Sequence, residues 1–161
     1  MVTTPAAPPK VGNGRAATGR ALVTGASSGI GAEFARCLAA QGKDLVLVAR
    51  REDTLDALAQ TLRTRHGVTV SVIACDLSAA DAADQLFART RDAGLHVDLL
   101  VNNAGFGIHG HFAEQDPDAL TRMLQLNVST LTRLTRLYLT PMIAHGQGRV
   151  IQVGSVGSFQ P

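Results

Sequence analysis

Cysteine is scarce in this chain: Cys37 and Cys75 are the only two among 161 residues. Two thiols set in apolar stretches cannot build a disulfide framework and lack the spacing of a metal site. They read as small core hydrophobes, at home in a reducing, cytoplasmic setting. Long apolar runs are missing as well. No stretch reaches the roughly 18 consecutive apolar residues of a membrane-spanning helix, so no span is expected. A surplus of one charge is also lacking, with 15 Lys and Arg against 13 Asp and Glu. The basic residues are scattered, whereas nucleic acid or an anionic membrane needs them clustered; neither is an expected partner. Tyrosine is almost absent. Tyr138 is the only one, and Met142 stands four residues after it; it reads as packing.

What is present is the composition of a folded domain. Hydrophobic residues make up 45% of the chain and charged residues 17%, which suits a packed core. Residues 1–18 are rich in Pro, Ala and Gly and lack the apolar middle of a secretion signal; they read as a flexible leader. From residue 19 to 161 short apolar runs alternate with segments of helical period. Strands are expected at Ala21–Val23, Leu45–Val48, Val68–Ala74, Val97–Val101 and Arg149–Val153. Helices are expected over Ile30–Gln41, with Ile30, Phe34 and Leu38 inward, over Glu52–His66, and through Asp92 from a capping box of Ser78 and Asp81. A last, long helix runs from an Asp116-Pro117 start to His145, with a kink. Strands alternating with crossover helices give an α/β fold: a doubly wound parallel sheet, ligated at the carboxyl ends of its strands.

The sharpest local signal is Thr24-Gly25-Ala26-Ser27-Ser28-Gly29-Ile30-Gly31, between the first strand and the first helix. Gly25 allows a tight turn, Gly29 a close approach to a pyrophosphate, and Gly31 close helix–strand packing. The amides of Ser27, Ser28, Gly29, Ile30 and Gly31 would face the phosphates at the positive end of the helix. The alternative is a bare structural turn. At the end of the second strand stand Arg50 and Arg51, with no acid until Glu52. An acid there would bind the ribose 2′-hydroxyl of NAD(H), whereas a guanidinium fork suits the 2′-phosphate of NADP(H). NADP(H) is therefore expected over NAD(H). Arg50 is the expected partner and Arg51 the expected solvated charge.

The Gly-x-x-x-Gly-x-Gly spacing, with its flanking Thr and Ser, resembles the short-chain dehydrogenase/reductase family. Four further segments carry the same resemblance: Asp76-Leu77, Asn102-Asn103-Ala104-Gly105, Asn127 within Leu126-Asn127-Val128, and Ser155 within Val153-Gly154-Ser155. The resemblance implies that Asp76 and Leu77 meet the adenine, and that Asn103, Ala104 and Gly105 run along the adenosine side. It implies that Asn127 bends its helix and holds a water of the proton relay, and that Ser155 bonds the substrate carbonyl oxygen. Blander roles remain open beside these: a helix cap for Asp76, an exposed helix position for Asn127, a loop serine for Ser155. The implied sheet order is 3-2-1-4-5, continuing to strands six and seven. The implied activity is carbonyl–alcohol interconversion on a small-molecule substrate, in a full-length protein that forms a homodimer or homotetramer.

The family's acid is the Tyr of a Tyr-x-x-x-Lys motif beyond Ser155, which is expected past Pro161. General acid catalysis contributes about 10²–10⁴-fold, so residues 19–161 are expected to bind cofactor with little turnover, as the C-terminally shortened part of such an enzyme. The alternative is a catalytically silent NADP-binding module or truncated gene product. The last strand is expected to be an exposed apolar edge prone to aggregation.

Overall fold

A computed structural model describes residues 19–155; the leader expected at 1–18 lies outside the described residues. Five strands alternate with helices in the expected sequence: β1 Arg20–Thr24, α1 Gly29–Ala40, β2 Asp44–Ala49, α2 Glu52–His66, β3 Val70–Ala74, α3 Ala82–Asp92 and β4 Val97–Asn102. A single 3-10 turn at Phe112–Glu114 precedes α4 Pro117–Leu124, a π-helical segment Gln125–Thr130, α5 Leu131–Ala144 and β5 Arg149–Gln152. All strands are parallel, and the sheet order is β3-β2-β1-β4-β5. The doubly wound sheet is as expected.

Two apolar layers hold it. Ala21, Val23, Leu45, Leu47 and Val101 face Ala35, Ala39, Leu55, Ala59 and Leu62 of α1 and α2. Leu22, Val46, Val48 and Leu100 face Leu86 of α3 and Leu134, Tyr138 and Met142 of α5. Strand β2 is buried at all six positions, which is why its sequence is apolar without alternation.

The local starts and stops follow from residue chemistry. Asp116 caps α4, its side chain accepting from the Asp118 amide at 3.0 Å, with Pro117 in the first turn. Gly67 ends α2 at φ 65°. The kink expected in the long helix is the π-helical segment Gln125–Thr130, with Asn127 inside it.

Three expectations fail, two of them in part. The inward face of α1 is centred on Gly31, Ala32, Ala35 and Ala39; Phe34 and Leu38 pack against the core from its flank as partly buried residues, whereas Ile30 is 61% exposed. The helix lies close against the sheet, and only small residues fit the gap. Ser78 does not box α3, which begins at Ala82 after Asp81. Instead the Ser78 amide and hydroxyl both donate to Asp76 Oδ1, at 3.0 and 2.7 Å, a local turn that competes with helix. Cys37 is exposed and so is not a core residue, whereas Cys75 is half-buried against the core.

The two edges of the sheet differ. In β3 the backbone of Thr69 and Cys75 bonds to β2, so Val70 and Ala74, an odd number of residues away, point their carbonyls outward. Arg63 donates to Val70 O and Arg89 Nη1 to Ala74 O at 2.8 Å. In β5 the Val153 amide donates to Asn102 O, so Val150 and Gln152 face outward. No strand lies beyond β5 among the described residues.

Candidate dinucleotide site

The carboxyl ends of the strands converge on a cavity of about 370 Å³. It is lined by Gly25, Ser27, Ser28 and Ile30 from the glycine-rich turn, Arg50 and Arg51 from the end of β2, Asp76 and Leu77 after β3, and Asn103, Ala104 and Gly105 after β4. These segments lie far apart in sequence, and parallel strand order brings them together. Cys75, Ser78, Phe106 and Leu126 share the lining, a role the sequence did not assign to them.

The turn itself is tightly determined. Gly25 has φ 66°, and a Cβ there would meet Asn103 Nδ2 at 2.8 Å. A Cβ on Gly31 would lie 2.4 Å from Gly25 O. Any larger residue at either place pushes the turn off the strand. Beneath it, Thr24 Oγ1 donates to Val101 O at 3.2 Å and accepts from the amides of Asn103 and Ala104 at 2.9 and 3.0 Å. Asn103 Nδ2 donates back to Thr24 O at 2.9 Å. One hydroxyl and one amide thus lock the β1 turn to the β4 turn.

The amino end of α1 is prepared for an anion. Ser28 occupies the cap position without a side-chain cap bond, and the first turn carries no acid. The first-turn amides and the helix dipole are left for a ligand. Gly29 has φ 53° with nothing within 4 Å of its Cβ position, so the lip of the cavity is open there.

Charge around the cavity is divided. Arg51 Nη2 donates to Ser27 Oγ at 3.2 Å, which brings a guanidinium onto the glycine-rich turn. Arg50 lies across the same cavity, where its charge is felt by Asp76. The bonds from Ser78 hold the Asp76 carboxyl below the usual carboxylate range, and the charges of Arg50 and Arg122 add to the effect. Burial pushes the Cys75 thiol up, away from thiolate reactivity.

Asn127 and Ser155 lie outside the cavity lining. Asn127 Oδ1 accepts from the Phe106 amide at 3.2 Å, and its Nδ2 donates to Phe106 O at 2.8 Å. The asparagine therefore clamps the backbone just past the Asn103-Ala104-Gly105 turn, a contact that sequence spacing could not indicate. Ser155 is exposed, three residues past β5. Tyr138 is 2% exposed, bonded to Thr90 Oγ1 at 2.8 Å and packed edge-on against Phe87. Burial pushes its hydroxyl up to about 12.

The short chain dehydrogenase family pattern matches residues 19–161. The chain belongs to this family. It is 36% identical over 145 residues to the very-long-chain 3-oxoacyl-CoA reductase of Phaeosphaeria nodorum, covering 88% of this chain and 42% of that one. It is 37% identical over 139 residues to the fatty acyl-CoA reductase of Acinetobacter baylyi, covering 85% and 47%. Among solved structures, a short-chain dehydrogenase of Sphingobium yanoikuyae in complex with NADPH superimposes with a TM-score of 0.83 at 39% identity, covering 89% of this chain and 56% of that one. The chain therefore spans about half the length of the relatives it matches. No helix among its described residues is long and apolar enough to cross a membrane.

Proposed function

We propose that residues 19–161 form the NADP(H)-holding part of an oxidoreductase that interconverts a carbonyl and an alcohol on a small-molecule substrate. One observation carries this reading: the uncapped, acid-free amino end of α1 opens onto a cavity where Arg51 already reaches Ser27. A pyrophosphate fits the amides from Ser27 to Gly31. Ser27, Arg51 and Arg50 would hold the 2′-phosphate, with Arg51 the nearer to the turn. Asp76 and Leu77 would meet the adenine, and Asn103, Ala104 and Gly105 would line the adenosine side. The chemistry that NADP(H) supplies when bound is hydride transfer at the nicotinamide.

In this reading the chain's own residues orient the reactants. Ser155 donates a hydrogen bond to the substrate carbonyl oxygen. Asn127 fixes the Phe106 backbone and so the floor beside the reacting carbon. Neither supplies the proton. Tyr138 cannot, because it is buried against Thr90 and its hydroxyl holds its proton to about pH 12. No Tyr-x-x-x-Lys motif stands in these 161 residues, since Tyr138 is followed by Met142 at that spacing. The 161 residues alone bind cofactor with little turnover.

The buried Tyr138 also favours a second reading, a catalytically silent NADP-binding module. Titrating NADPH and NADH by fluorescence, followed by a ketone-reduction assay on the same sample, separates the outcomes. NADPH binding at least tenfold tighter than NADH supports the cofactor assignment (a difference of about 1.4 kcal/mol). No affinity for either dinucleotide sinks it. The stripe of Leu124, Val128, Leu139 and Ile143, exposed by 57, 55, 39 and 70%, supports pairing with a second copy, which sedimentation would read directly. Two free thiols suit a cytoplasmic location.

A further inference from the structure

One hydroxyl away from the cavity collects bonds from three elements. Thr135 Oγ1 donates to Leu131 O at 2.8 Å within α5. The same oxygen accepts from Asn102 Nδ2 at 3.0 Å and from Gln152 Nε2 at 2.9 Å. A hydroxyl offers one proton and two lone pairs, and all three are used. Asn102 ends β4 and Gln152 ends β5, and the two are register partners. A single side chain of α5 thus grips both strand ends. Asn102 is only 3% exposed, and its Oδ1 has no partner among the described residues. The bond to Thr135 is what offsets burial of that amide.

An ordinary helical threonine also bonds back to the carbonyl four residues earlier. That habit accounts for the Leu131 contact but not for two side-chain amides arriving from two strands. The placement matters because of what hangs from those strands. Ser155 follows Gln152 by three residues. Phe106, which Asn127 clamps, follows Asn102 by four. Asn127 itself precedes Thr135 by eight residues in the same unbroken run of helix. The Asn127 clamp and the Thr135 hub are two fastenings between one helix and the strand ends.

We propose that Thr135 is a positioning residue: its hydroxyl fixes the end of β5, and with it Ser155, against the helix that carries Asn127. This rests on the oxidoreductase reading, since the place of Ser155 matters only if it holds a carbonyl oxygen.

Thr135→Val removes the hydroxyl at nearly constant shape, and Thr135→Ser keeps it. Gln152→Ala, at an exposed position, removes one donor from the hub with little risk to folding. Three quantities are read on the full chain: NADPH affinity, backbone amide exchange at Val153 and Ser155 against Val23 of β1, and affinity of the NADP-saturated protein for acetophenone, with Ser155→Ala as reference. Thr135→Val is expected to leave NADPH affinity within about twofold, to speed exchange at Ser155 about tenfold, and to weaken acetophenone about fivefold, on the scale of one lost hydrogen bond. Thr135→Ser restores both, and Gln152→Ala gives a smaller loss in the same direction. Unchanged exchange at Ser155 in both Thr135→Val and Gln152→Ala overturns the proposal. So does unchanged acetophenone affinity in Thr135→Val while Ser155→Ala weakens it. If Ser155→Ala leaves ketone affinity intact, the oxidoreductase reading itself falls and takes the positioning role with it.

Discussion

The two sides of the site are built to different standards. On the dinucleotide side, the turn after β1 is fixed by Thr24, Asn103 and two glycines that admit no side chain. On the chemistry side, Asn127 makes two bonds to one backbone unit and Ser155 stands exposed past a short edge strand. In the proposed reading the first side would meet an invariant ligand, so rigidity there has no drawback, and the second would receive a substrate. The contrast teaches that, under the proposed function, cofactor binding and carbonyl handling can be perturbed separately.

Substitutions can break that contrast in order of size. The largest effect is expected from Gly31→Val, whose side chain would enter the 2.4 Å gap to Gly25 O. NADPH affinity should fall by about a hundredfold or more, given an overpacking cost of roughly 1–3 kcal/mol plus displacement of the phosphate-binding amides; near-normal titration would show that the turn is softer than its geometry. Next comes Thr24→Val, which strands the amides of Asn103 and Ala104. About 2 kcal/mol should be lost, seen as a melting-temperature drop on the order of 5 °C. A melt within a degree of the parent would remove Thr24 from the centre of the lock.

Smaller and sharper is the arginine pair. Arg51→Ala should cut the preference for NADPH over NADH about tenfold, since hydrogen bonds to charged groups contribute roughly 1.5–3 kcal/mol. Arg50→Ala should do less, because only Arg51 is bonded to the glycine-rich turn; the reverse order would restore Arg50 as the main 2′-phosphate ligand. The smallest effect belongs to Tyr138→Phe, which should leave NADPH affinity unchanged. Its signature is in alkali. With the folded hydroxyl near 12 and the unfolded one near 10, the unfolded chain releases the proton first. The parent is therefore fully stabilised by this group below pH 10 and loses that stability as pH rises towards 12. Tyr138→Phe should lack this component of alkaline loss. Because Tyr138 is the sole tyrosine, tyrosinate absorbance tracks it alone.

Sequence carried much of this arrangement. Strand order and helix spans follow from period and punctuation, and α2 runs from Glu52 to His66 as expected. The glycines were legible because each has a single steric job. Other features depend on distance between elements and leave no periodic trace. The inward face of α1 is chosen by its gap to the sheet, which favours Ala35 and Ala39 over Phe34 and Leu38. Ser78 bonds backward to Asp76 rather than forward to a helix. Arg50 and Arg51 are adjacent in sequence, and only the direction of each side chain assigns Arg51 to Ser27. The Thr24 and Thr135 hubs each join residues that lie tens of positions apart or on different elements, beyond any local pattern.

The arginines on β3 have a consequence for how the sheet can grow. With Val70 and Ala74 carbonyls already taken by Arg63 and Arg89, an incoming strand finds two of the three outward acceptors of that margin occupied. At β5 no side chain among the described residues covers the carbonyls of Val150 and Gln152 in this way. Sheet extension at the β3 margin would therefore have to displace a guanidinium before a full ladder could form.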